Sequence, residues 1–464
     1  MDSRSHRSMA LFSSSIIIAP MDSRGDRNIA FALSLVLYAV LLLFTFHEAD
    51  EDLWGRMAAG RLTMSEGRVP ERDVFAYVPT KPLWVDHEWL SGAVFYEVHR
   101  AWGGTGLLAL RAALGVGAMA LLLHAARGAS PWTLTLLSLA AWPLLAQGFN
   151  SVVRAQAFTF LFFALTLFVL ERGKGRLALV PLVALWANFH GGFVLGPLLL
   201  LGYGFYRLAA ACLTASLLNP YGIEYWRYLG GALLMPRPEI VEWRSADLSG
   251  IGDLQIQGAL LLIVILVWER RPRPAHLVAL GGAALASLLH VRFAPLLGMV
   301  IVVTLGSSWE AVFRKRRHAL AVGAMVLALS LVAIGGAVAW LRRDLSLQMR
   351  VPADRYPVAA VERLKDERGN LAVFFNWGEY ALYHLYPGVL VSIDGRYETV
   401  YPEEVVQANW DFTRGAPGSE RFLDTYPADI ALYPRDTGAA RWLAGASNWD
   451  LLLEDGFFVL YRRE

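Results

Sequence analysis

Residues 28–54 read NIAFALSLVLYAVLLLFTFHEADEDLW, an apolar run that ends in a cluster of acids. The run has about the 20 residues that a helix needs to cross a bilayer. Four carboxylates follow it at once: Glu48, Asp50, Glu51 and Asp52. The stretch therefore predicts a membrane span that leads directly into an acidic cluster at the water interface.

The composition indicates the class of protein. Of 464 residues, 56% are hydrophobic and 18% are charged, and the mean hydropathy is +0.41. Soluble domains carry about 25% charged residues, so an integral membrane protein is predicted. Arg greatly outnumbers Lys, which favours a bacterial source with a GC-rich genome, and we expect no nucleic-acid partner. A single cysteine, Cys212, excludes a disulfide framework and a cysteine-based metal site within one chain.

Hydrophobic segments recur along the chain up to residue 341. We draw eleven of them, at 28–46, 104–125, 131–148, 155–171, 176–190, 191–206, 207–219, 256–269, 275–291, 292–308 and 318–341. The preceding residues, 1–27, are predicted to form a disordered cytoplasmic tail. The predicted fold class is a polytopic α-helical membrane protein, with a transmembrane domain at 28–341 and about eleven transmembrane helices.

The distribution of basic residues sets the orientation. If the N-terminus is cytoplasmic, the short inner loops hold twelve Lys and Arg residues, whereas the short outer loops hold only Arg154 and Arg292. Basic residues concentrate in cytoplasmic loops, so this asymmetry favours a cytoplasmic N-terminus. We therefore expect a multi-pass protein of the bacterial inner membrane, with residues 342–464 in the periplasm.

Two outer segments carry secondary structure of their own. The first periplasmic loop, 47–103, contains two amphipathic stretches, 52–65 and 86–101, which we expect to lie as helices in the membrane interface. Residues 342–464 alternate helices with strands and end in a hairpin whose turn is Asp455-Gly456. This pattern predicts a soluble α/β domain with a mostly parallel sheet.

Polar side chains gather at the outer ends of the spans. They include Asp50 and Asp52, Asp86-His87-Glu88, Arg154, Asn188 and His190, Asn219-Pro220-Tyr221-Gly222, Glu242, and His290 with Arg292. Ionisable groups are costly at a membrane and tend to mark function, so a site at the outer surface is predicted. Arg111, inside the second span, is a further candidate.

These clusters also have structural interpretations. Asp50 and its neighbours could cap the helix that begins near Leu53, and Asp86 could cap the next one. Asn188 and His190 could instead satisfy the backbone of a turn between two spans. Catalytic and structural roles therefore both remain open for these residues.

Two kinds of group favour anion or ligand binding. Arg154 and Arg292 are candidates for holding a lipid phosphate because guanidinium binds phosphate through two hydrogen bonds, although both could simply reach lipid headgroups. Asp394-Gly395-Arg396 follows a predicted strand, at the sheet edge where α/β domains bind ligands. A structural ion pair between Asp394 and Arg396 is the alternative.

Together these residues resemble the GT-C superfamily of integral membrane glycosyltransferases. The resemblance rests on the acidic pattern directly after the first span and on two flanking interfacial helices. It also rests on these motifs: Asp50-Glu-Asp52-Leu-Trp54, Trp84-Val-Asp-His87-Glu88-Trp89, Trp186-Ala-Asn188-Phe-His190, Asn219-Pro-Tyr-Gly, Glu242-Trp243 and Asp394-Gly-Arg396. The chain has Trp54-Gly55-Arg56 where the similar bacterial proteins tend to have the pattern W-W-H.

The resemblance implies transfer of a sugar from a polyprenyl-phosphate donor to a periplasmic lipid, glycan or protein acceptor. It implies that Asp50 is the base and that Asp52 is its neighbour or a metal ligand. A divalent ion, Mg²⁺ or Mn²⁺, held by Asp52, His87 and Glu88 is left open. The candidate substrate-binding residues are Arg111, Arg154, Asn188, His190, Glu242, Arg292, Asp394 and Arg396.

Two other classes of function compete with this one. The first is a non-catalytic GT-C-like membrane protein that binds or assembles, with residues 342–464 as its recognition domain. The second is a transporter, in which polar groups normally lie near the membrane midplane. The polar groups here lie at the predicted outer face, which makes the transporter the weakest of the three.

Overall fold

The computed structural model describes residues 24–43, 47–149, 152–235, 241–315 and 347–464. The first helices are α1 (Arg24–Leu43), α2 (Glu51–Glu66), α3 (Trp89–Ala125), α4 (Pro131–Ala140), α5 (Trp142–Phe149), α6 (Gln156–Arg172) and α7 (Leu179–Phe189). They are followed by α8 (Leu195–Gly202), α9 (Tyr206–Ala215), α10 (Ile223–Leu234), α11 (Leu254–Glu269), α12 (Pro274–Leu289) and α13 (Val291–Lys315).

The predicted spans coincide with helices wherever the structure describes them. Two helices, α3 and α13, are long and apolar enough to cross a membrane, and the other apolar helices in the described ranges are shorter. The predicted span 318–341 and the predicted tail lie outside the described residues, apart from the last four residues of the tail, which begin α1. The mostly helical architecture is therefore confirmed, while the number of about eleven transmembrane helices stays a prediction.

The second interfacial stretch and the second span form a single element. Helix α3 is 37 residues long and breaks at Gly103, whose φ of 60° and ψ of −156° are non-helical. A side chain at this position would be strained, because residues with a Cβ rarely adopt positive φ. The break falls between the predicted stretch 86–101 and the predicted span 104–125.

The helix predicted at 52–65 is present as α2. Its apolar residues Leu53, Trp54 and Met57 are buried inside the protein, at 1%, 3% and 0% exposure. The helix crosses α3 at very short range, since a Cβ on Gly60 would stand 2.1 Å from the carbonyl oxygen of Gly92. The apolar face of α2 therefore packs against protein, while its placement in the membrane interface stays a prediction.

The C-terminal part is a small α/β domain. Its helices are α14 (Val358–Arg363), α15 (Phe375–Leu385), α16 (Tyr397–Val400), α17 (Glu403–Arg414), α18 (Arg421–Thr425) and α19 (Gly438–Gly445). Its strands are β1 (Gly369–Val373), β2 (Val389–Val391), β3 (Ile430–Pro434), β4 (Trp449–Glu454) and β5 (Phe458–Arg463).

The strands form one sheet in the order β2-β1-β3-β5-β4. Pairing is parallel from β2 to β3 and antiparallel from β3 to β4, so the sheet is mixed where a mostly parallel one was expected. The predicted final hairpin is confirmed: Asp455 Oδ1 accepts from the backbone N–H groups of Phe457 and Phe458 and closes the turn between β4 and β5.

The first loop extends this sheet at its free edge. Val391 N–H donates to the Phe75 carbonyl (2.9 Å), and Tyr77 N–H donates to the Val391 carbonyl (3.2 Å). Trp54 of α2 packs against Tyr380 and Tyr383 of α15, with ring centroids 5.2 and 5.3 Å apart. Residues 47–88 and the α/β domain thus share one packed interface.

Candidate active site

The centre of the site is the N-terminus of α2. Asp50 is the N-cap residue: its Oδ1 accepts from the backbone N–H of Asp52 at 3.1 Å. The capping interpretation is therefore correct, but it uses only one carboxylate oxygen. The other, Oδ2, faces Arg154, and the Asp50 side chain is only 6% exposed.

Arg154 joins two of the predicted acids. Its Nε donates to Asp50 Oδ2 at 2.9 Å, and its Nη1 donates to Glu242 Oε1 at 2.6 Å. The guanidinium reaches from a buried carboxylate to an exposed one, because Glu242 is 47% exposed. Three candidates from separate segments of the sequence are thereby brought together.

Burial sets the proton affinity of Asp50. Removal from water, together with the nearby Asp52 carboxylate, raises its pKa to about 7, although Arg154 acts in the opposite direction. Burial disfavours the charged form of a carboxyl, and a like charge adds to that effect. A carboxylate with a pKa near neutrality is suited to accept a proton in catalysis.

A second ion cluster lies one turn further along α2. Arg56 Nε is 2.7 Å from Glu88 Oε2, and Arg56 Nη1 donates to Asp86 Oδ1 at 3.4 Å. Burial opposes ionisation of Glu88, but Arg56 and the histidine beside it outweigh burial and hold its pKa well below the usual range. Sequence reasoning did not select Arg56, although its position one turn after Asp52 was a usable signal.

The two candidate histidines face Glu88 from opposite segments. Glu88 Oε1 lies 3.5 Å from His87 Nε2 and 3.4 Å from His190 Nε2. His190 Nδ1 accepts from the backbone N–H of Gly192 at 2.8 Å, which assigns the remaining proton to Nε2.

The predicted metal ligands do not form a metal site. Within the described part of the chain, no group of three or more His, Cys, Asp or Glu side chains is arranged to hold a metal ion. Glu88, one of the three predicted ligands, is already occupied by the Arg56 guanidinium, which repels a cation. The donor set of Asp52, His87 and Glu88 therefore does not fit a divalent ion in this arrangement.

Sequence reasoning missed a further carboxyl group, Glu379 of α15. It is 2% exposed, and its Oε2 accepts from the Gly55 N–H of α2 at 2.8 Å. A Cβ at Gly55 would stand 2.4 Å from the Glu379 carboxyl carbon. The departure from W-W-H at Trp54-Gly55-Arg56 thus has a physical reason, because only glycine leaves room for this acid.

Glu379 also borders Asp52. A Cβ built on Gly395 would stand 2.8 Å from Glu379 Oε1 and 3.1 Å from Asp52 Oδ1, so both oxygens line one small space. Glu379 Oε1 has no hydrogen-bond partner among the described residues. Burial, together with the nearby Asp52 carboxylate, raises the pKa of Glu379 well above its usual value.

Asp394 and Arg396 form the structural ion pair that the sequence left open. Arg396 donates to both Asp394 oxygens, at 2.8 and 2.6 Å, and also to Asp73 of the first loop. Its guanidinium lies 4.9 Å from the ring centroids of Phe75 and Trp84. With these partners it joins the α/β domain to the first loop, and contact of Asp394 or Arg396 with substrate stays a prediction.

The remaining candidates are distributed around this centre. Asn188 accepts from Trp89 Nε1 at 2.9 Å and donates to two backbone carbonyls, which positions α3 against α7. Arg111 Nη2 donates to the Leu42 carbonyl at the end of α1 at 3.0 Å. Arg292 lies 4.5 Å from the ring centroid of Trp243, which is adjacent in sequence to Glu242.

Comparison with known proteins gives no match by sequence: no protein-family model matches the chain, and no curated protein does. Solved structures do match. ArnT from Cupriavidus metallidurans, bound to undecaprenyl phosphate, has a TM-score of 0.57 at 14% identity, over 94% of this chain and 98% of that one. The Archaeoglobus fulgidus oligosaccharyltransferase, tethered to an acceptor peptide, has a TM-score of 0.60 at 12% identity, over 89% of this chain and 69% of that one.

The chain has the GT-C fold. The apo form of ArnT matches with a TM-score of 0.56 over the same 94% of the chain, so the likeness includes both the helices and the sheet domain. The resemblance inferred from the acidic first loop is therefore confirmed for the fold. The predicted location in the bacterial inner membrane stays a prediction.

Proposed function

We propose that this GT-C protein is a glycosyltransferase that moves a sugar from a polyprenyl-phosphate donor to an acceptor on the periplasmic face of the bacterial inner membrane. The observation that carries the proposal is the buried Asp50 carboxylate paired with Arg154 at the start of α2. It places a group able to accept a proton beside a group able to hold a phosphate. The solved ArnT structure with undecaprenyl phosphate supports the donor class.

The reaction needs one bond to form and one to break. The acceptor hydroxyl oxygen bonds to the anomeric carbon of the donor sugar, while the bond from that carbon to the phosphate oxygen breaks. The hydroxyl proton passes to Asp50, and polyprenyl phosphate leaves as an anion. Asp50 acts as the general base, and its raised pKa makes it a better proton acceptor than an ordinary aspartate.

The leaving phosphate needs positive charge. Arg154 supplies positive charge to the phosphate. The phosphate takes the place of the exposed Glu242 carboxylate at the Arg154 guanidinium. Arg292, 4.5 Å from the ring centroid of Trp243, is the second source of positive charge. Fixed guanidinium groups stabilise the developing charge without having to reorganise during the reaction.

Contacts between segments support the proposed sidedness. The first loop pairs with β2 of the α/β domain, so both must lie on the same side of the membrane. The basic residues in the loops between the spans favour the cytoplasm for the opposite side. The α/β domain is then periplasmic, on the same side as Asp50.

An in vitro transfer assay tests the proposal. The full-length protein in nanodiscs is given a panel of labelled polyprenyl-phosphate sugars, together with a membrane extract as the acceptor source. We expect Asp50→Asn to reduce transfer by about 10²- to 10⁴-fold, because it keeps the size of the side chain but removes the base. Glu66→Gln, at the exposed end of the same helix, is the matched control and should be close to wild type.

Two outcomes would contradict the assignment. Full transfer by Asp50→Asn, at wild-type levels of inserted protein, would reduce this carboxylate to a helix cap. Wild-type protein that binds the donor but never transfers the sugar would favour the non-catalytic binding protein.

A further inference from the structure

A second concave surface lies on the α/β domain, outside the ion clusters. It is a pocket of about 260 Å³ at the carboxyl ends of β1 and β2. It is lined by Phe374, Phe375, Asn376, Tyr397, Trp410, Thr413 and Arg414. In sheets with parallel strands, ligands bind beyond the carboxyl ends of the strands, so the position alone is typical of a binding site.

Three aromatic rings form one corner of the pocket. Tyr397 and Trp410 lie almost parallel, with centroids 5.7 Å apart and an angle of 22° between their planes. Phe375 packs edge-on against Tyr397 and Trp410, with centroid distances of 6.0 and 5.9 Å and interplanar angles of 88° and 67°. All three side chains are partly exposed, so they present aromatic surface to a ligand and are not part of a closed core.

The backbone at Tyr397 is held in an uncommon conformation. Its φ is 37°, which makes it the non-glycine residue with positive φ among those that the structure describes. Such a conformation persists only where the surroundings impose it, and it occurs preferentially at ligand sites. The buried Arg396 ion pair immediately before Tyr397 fixes the chain here and directs the ring into the pocket.

Two chain segments connect the pocket to the carboxylates of the candidate active site. Asn376 and Glu379 are three residues apart on α15, so their side chains are neighbours on the helix surface. Gly395, which borders Asp52, is two residues before Tyr397. Consecutive Cα atoms are about 3.8 Å apart, so Tyr397 begins within roughly 8 Å of the Gly395 backbone.

We propose that this pocket binds a sugar ring of a glycan acceptor. The face of an aromatic ring is electron-rich, and it attracts the weakly positive C–H groups on one face of a pyranose. The amide of Asn376 and the guanidinium of Arg414 also line the pocket and match the hydroxyl groups of a sugar. The Arg414 guanidinium lies 5.7 Å from the ring centroid of Trp410.

The size of the pocket supports a small ligand. Its volume lies just below the roughly 300–1,000 Å³ of ordinary small-molecule pockets, which suits one sugar ring of a longer chain. This inference rests on the proposed transferase function and specifies its acceptor: a glycan, carried on a lipid or free, that is held one ring away from the reacting hydroxyl.

The test uses the full-length protein in nanodiscs on an array of bacterial surface glycans, presented both free and linked to lipid. We expect the wild type to bind a subset of them and Trp410→Ala to lose at least about tenfold in affinity, because the stacking surface is removed. Trp410→Tyr keeps a ring and should retain most of the binding, which separates recognition from misfolding. Trp442→Ala, in the same domain against Phe412, is the matched control and should bind like the wild type.

A parallel measurement of donor binding separates the two proposals. Donor binding without any glycan binding, or unchanged glycan binding by Trp410→Ala, would overturn the glycan pocket and leave the transferase proposal standing. Glycan binding that depends on Trp410, without any donor binding, would overturn the transferase proposal and leave the glycan pocket standing. If the array presents both peptides and glycans and the protein binds only the peptides, the glycan pocket is overturned and the acceptor is a protein.

Discussion

Replacing Arg396 tests whether the ion cluster between the first loop and the α/β domain holds the two together. Arg396, Asp394 and Asp73 have side chains that are at most 1% exposed, so all three charges are inside the protein. Arg396→Met keeps the length and apolar contacts of the side chain but removes the charge. It leaves both aspartates buried without their guanidinium partner.

The size of the effect follows from this burial. Breaking a buried ion pair by removing one partner costs about 3–5 kcal/mol, because the remaining charge is left uncompensated. We expect this loss in the free energy of unfolding of the α/β domain. The loss should be smaller in acid, where the unpaired carboxylates of Asp394 and Asp73 become neutral by binding protons.

Pulse proteolysis of the detergent-solubilised protein along a urea gradient measures this loss. With a urea dependence of about 2 kcal/mol per molar, the midpoint should fall by roughly 2 M. Arg462→Met is the matched control, since that side chain is 40% exposed and pairs with Glu367 at the surface. Its loss should stay below about 1 kcal/mol.

A compensating variant makes the reasoning refutable. Arg396→Met combined with Asp394→Asn and Asp73→Asn removes the buried charges altogether, so part of the lost stability should return. If Arg396→Met unfolds at the same urea concentration as the wild type, the cluster does not stabilise the interface. If the triple variant is no more stable than the single one, uncompensated charge is not the cause.

Further predictions concern the candidate active site and the crossing of α2 with α3. If Asp50 is the base, the transfer rate should fall as the pH drops below about 7, because the carboxyl group becomes protonated; Arg154→Gln should move this midpoint to higher pH, and an unchanged pH profile would contradict both roles. Gly60→Ala places a Cβ 2.1 Å from the Gly92 carbonyl oxygen and should reduce the yield of folded protein on size-exclusion chromatography, because a backbone atom cannot turn aside. Gly230→Ala, with open space around it, should have no such effect, and equal yields would show that the crossing tolerates a wider separation.

Local patterns predicted most of the fold correctly. The spans were visible as apolar runs, and the hairpin at Asp455 as a turn between two strands, because each signal lies within a few neighbouring residues. The burial of the apolar face of α2 was not predicted, for the opposite reason. Its Trp54 contacts Tyr380 and Tyr383, more than 300 residues later in the chain, and no local pattern reports such a partner.

The residues of the candidate site were likewise predicted only where a local pattern marked them. Asp50, Arg154 and Glu242 were selected as polar residues at span ends, and the structure brings them into contact. Glu379 was missed because it lies within a largely apolar helix of another domain, where its charge had no visible function. Its role appears only with Gly55, which no pattern in α15 indicates.

The pairing of Phe75–Tyr77 with Val391 has a consequence for synthesis. The ribosome makes the first loop about 300 residues before it makes β1, which takes roughly 15–60 s at 5–20 residues per second. During that interval the nascent loop has no neighbouring strand, and Trp54 lacks the tyrosines that cover it. The carboxylates of the first loop are therefore joined by Glu379 only after most of the chain has been translated. A prematurely terminated chain would carry Asp50 and Asp52 without the domain that encloses them.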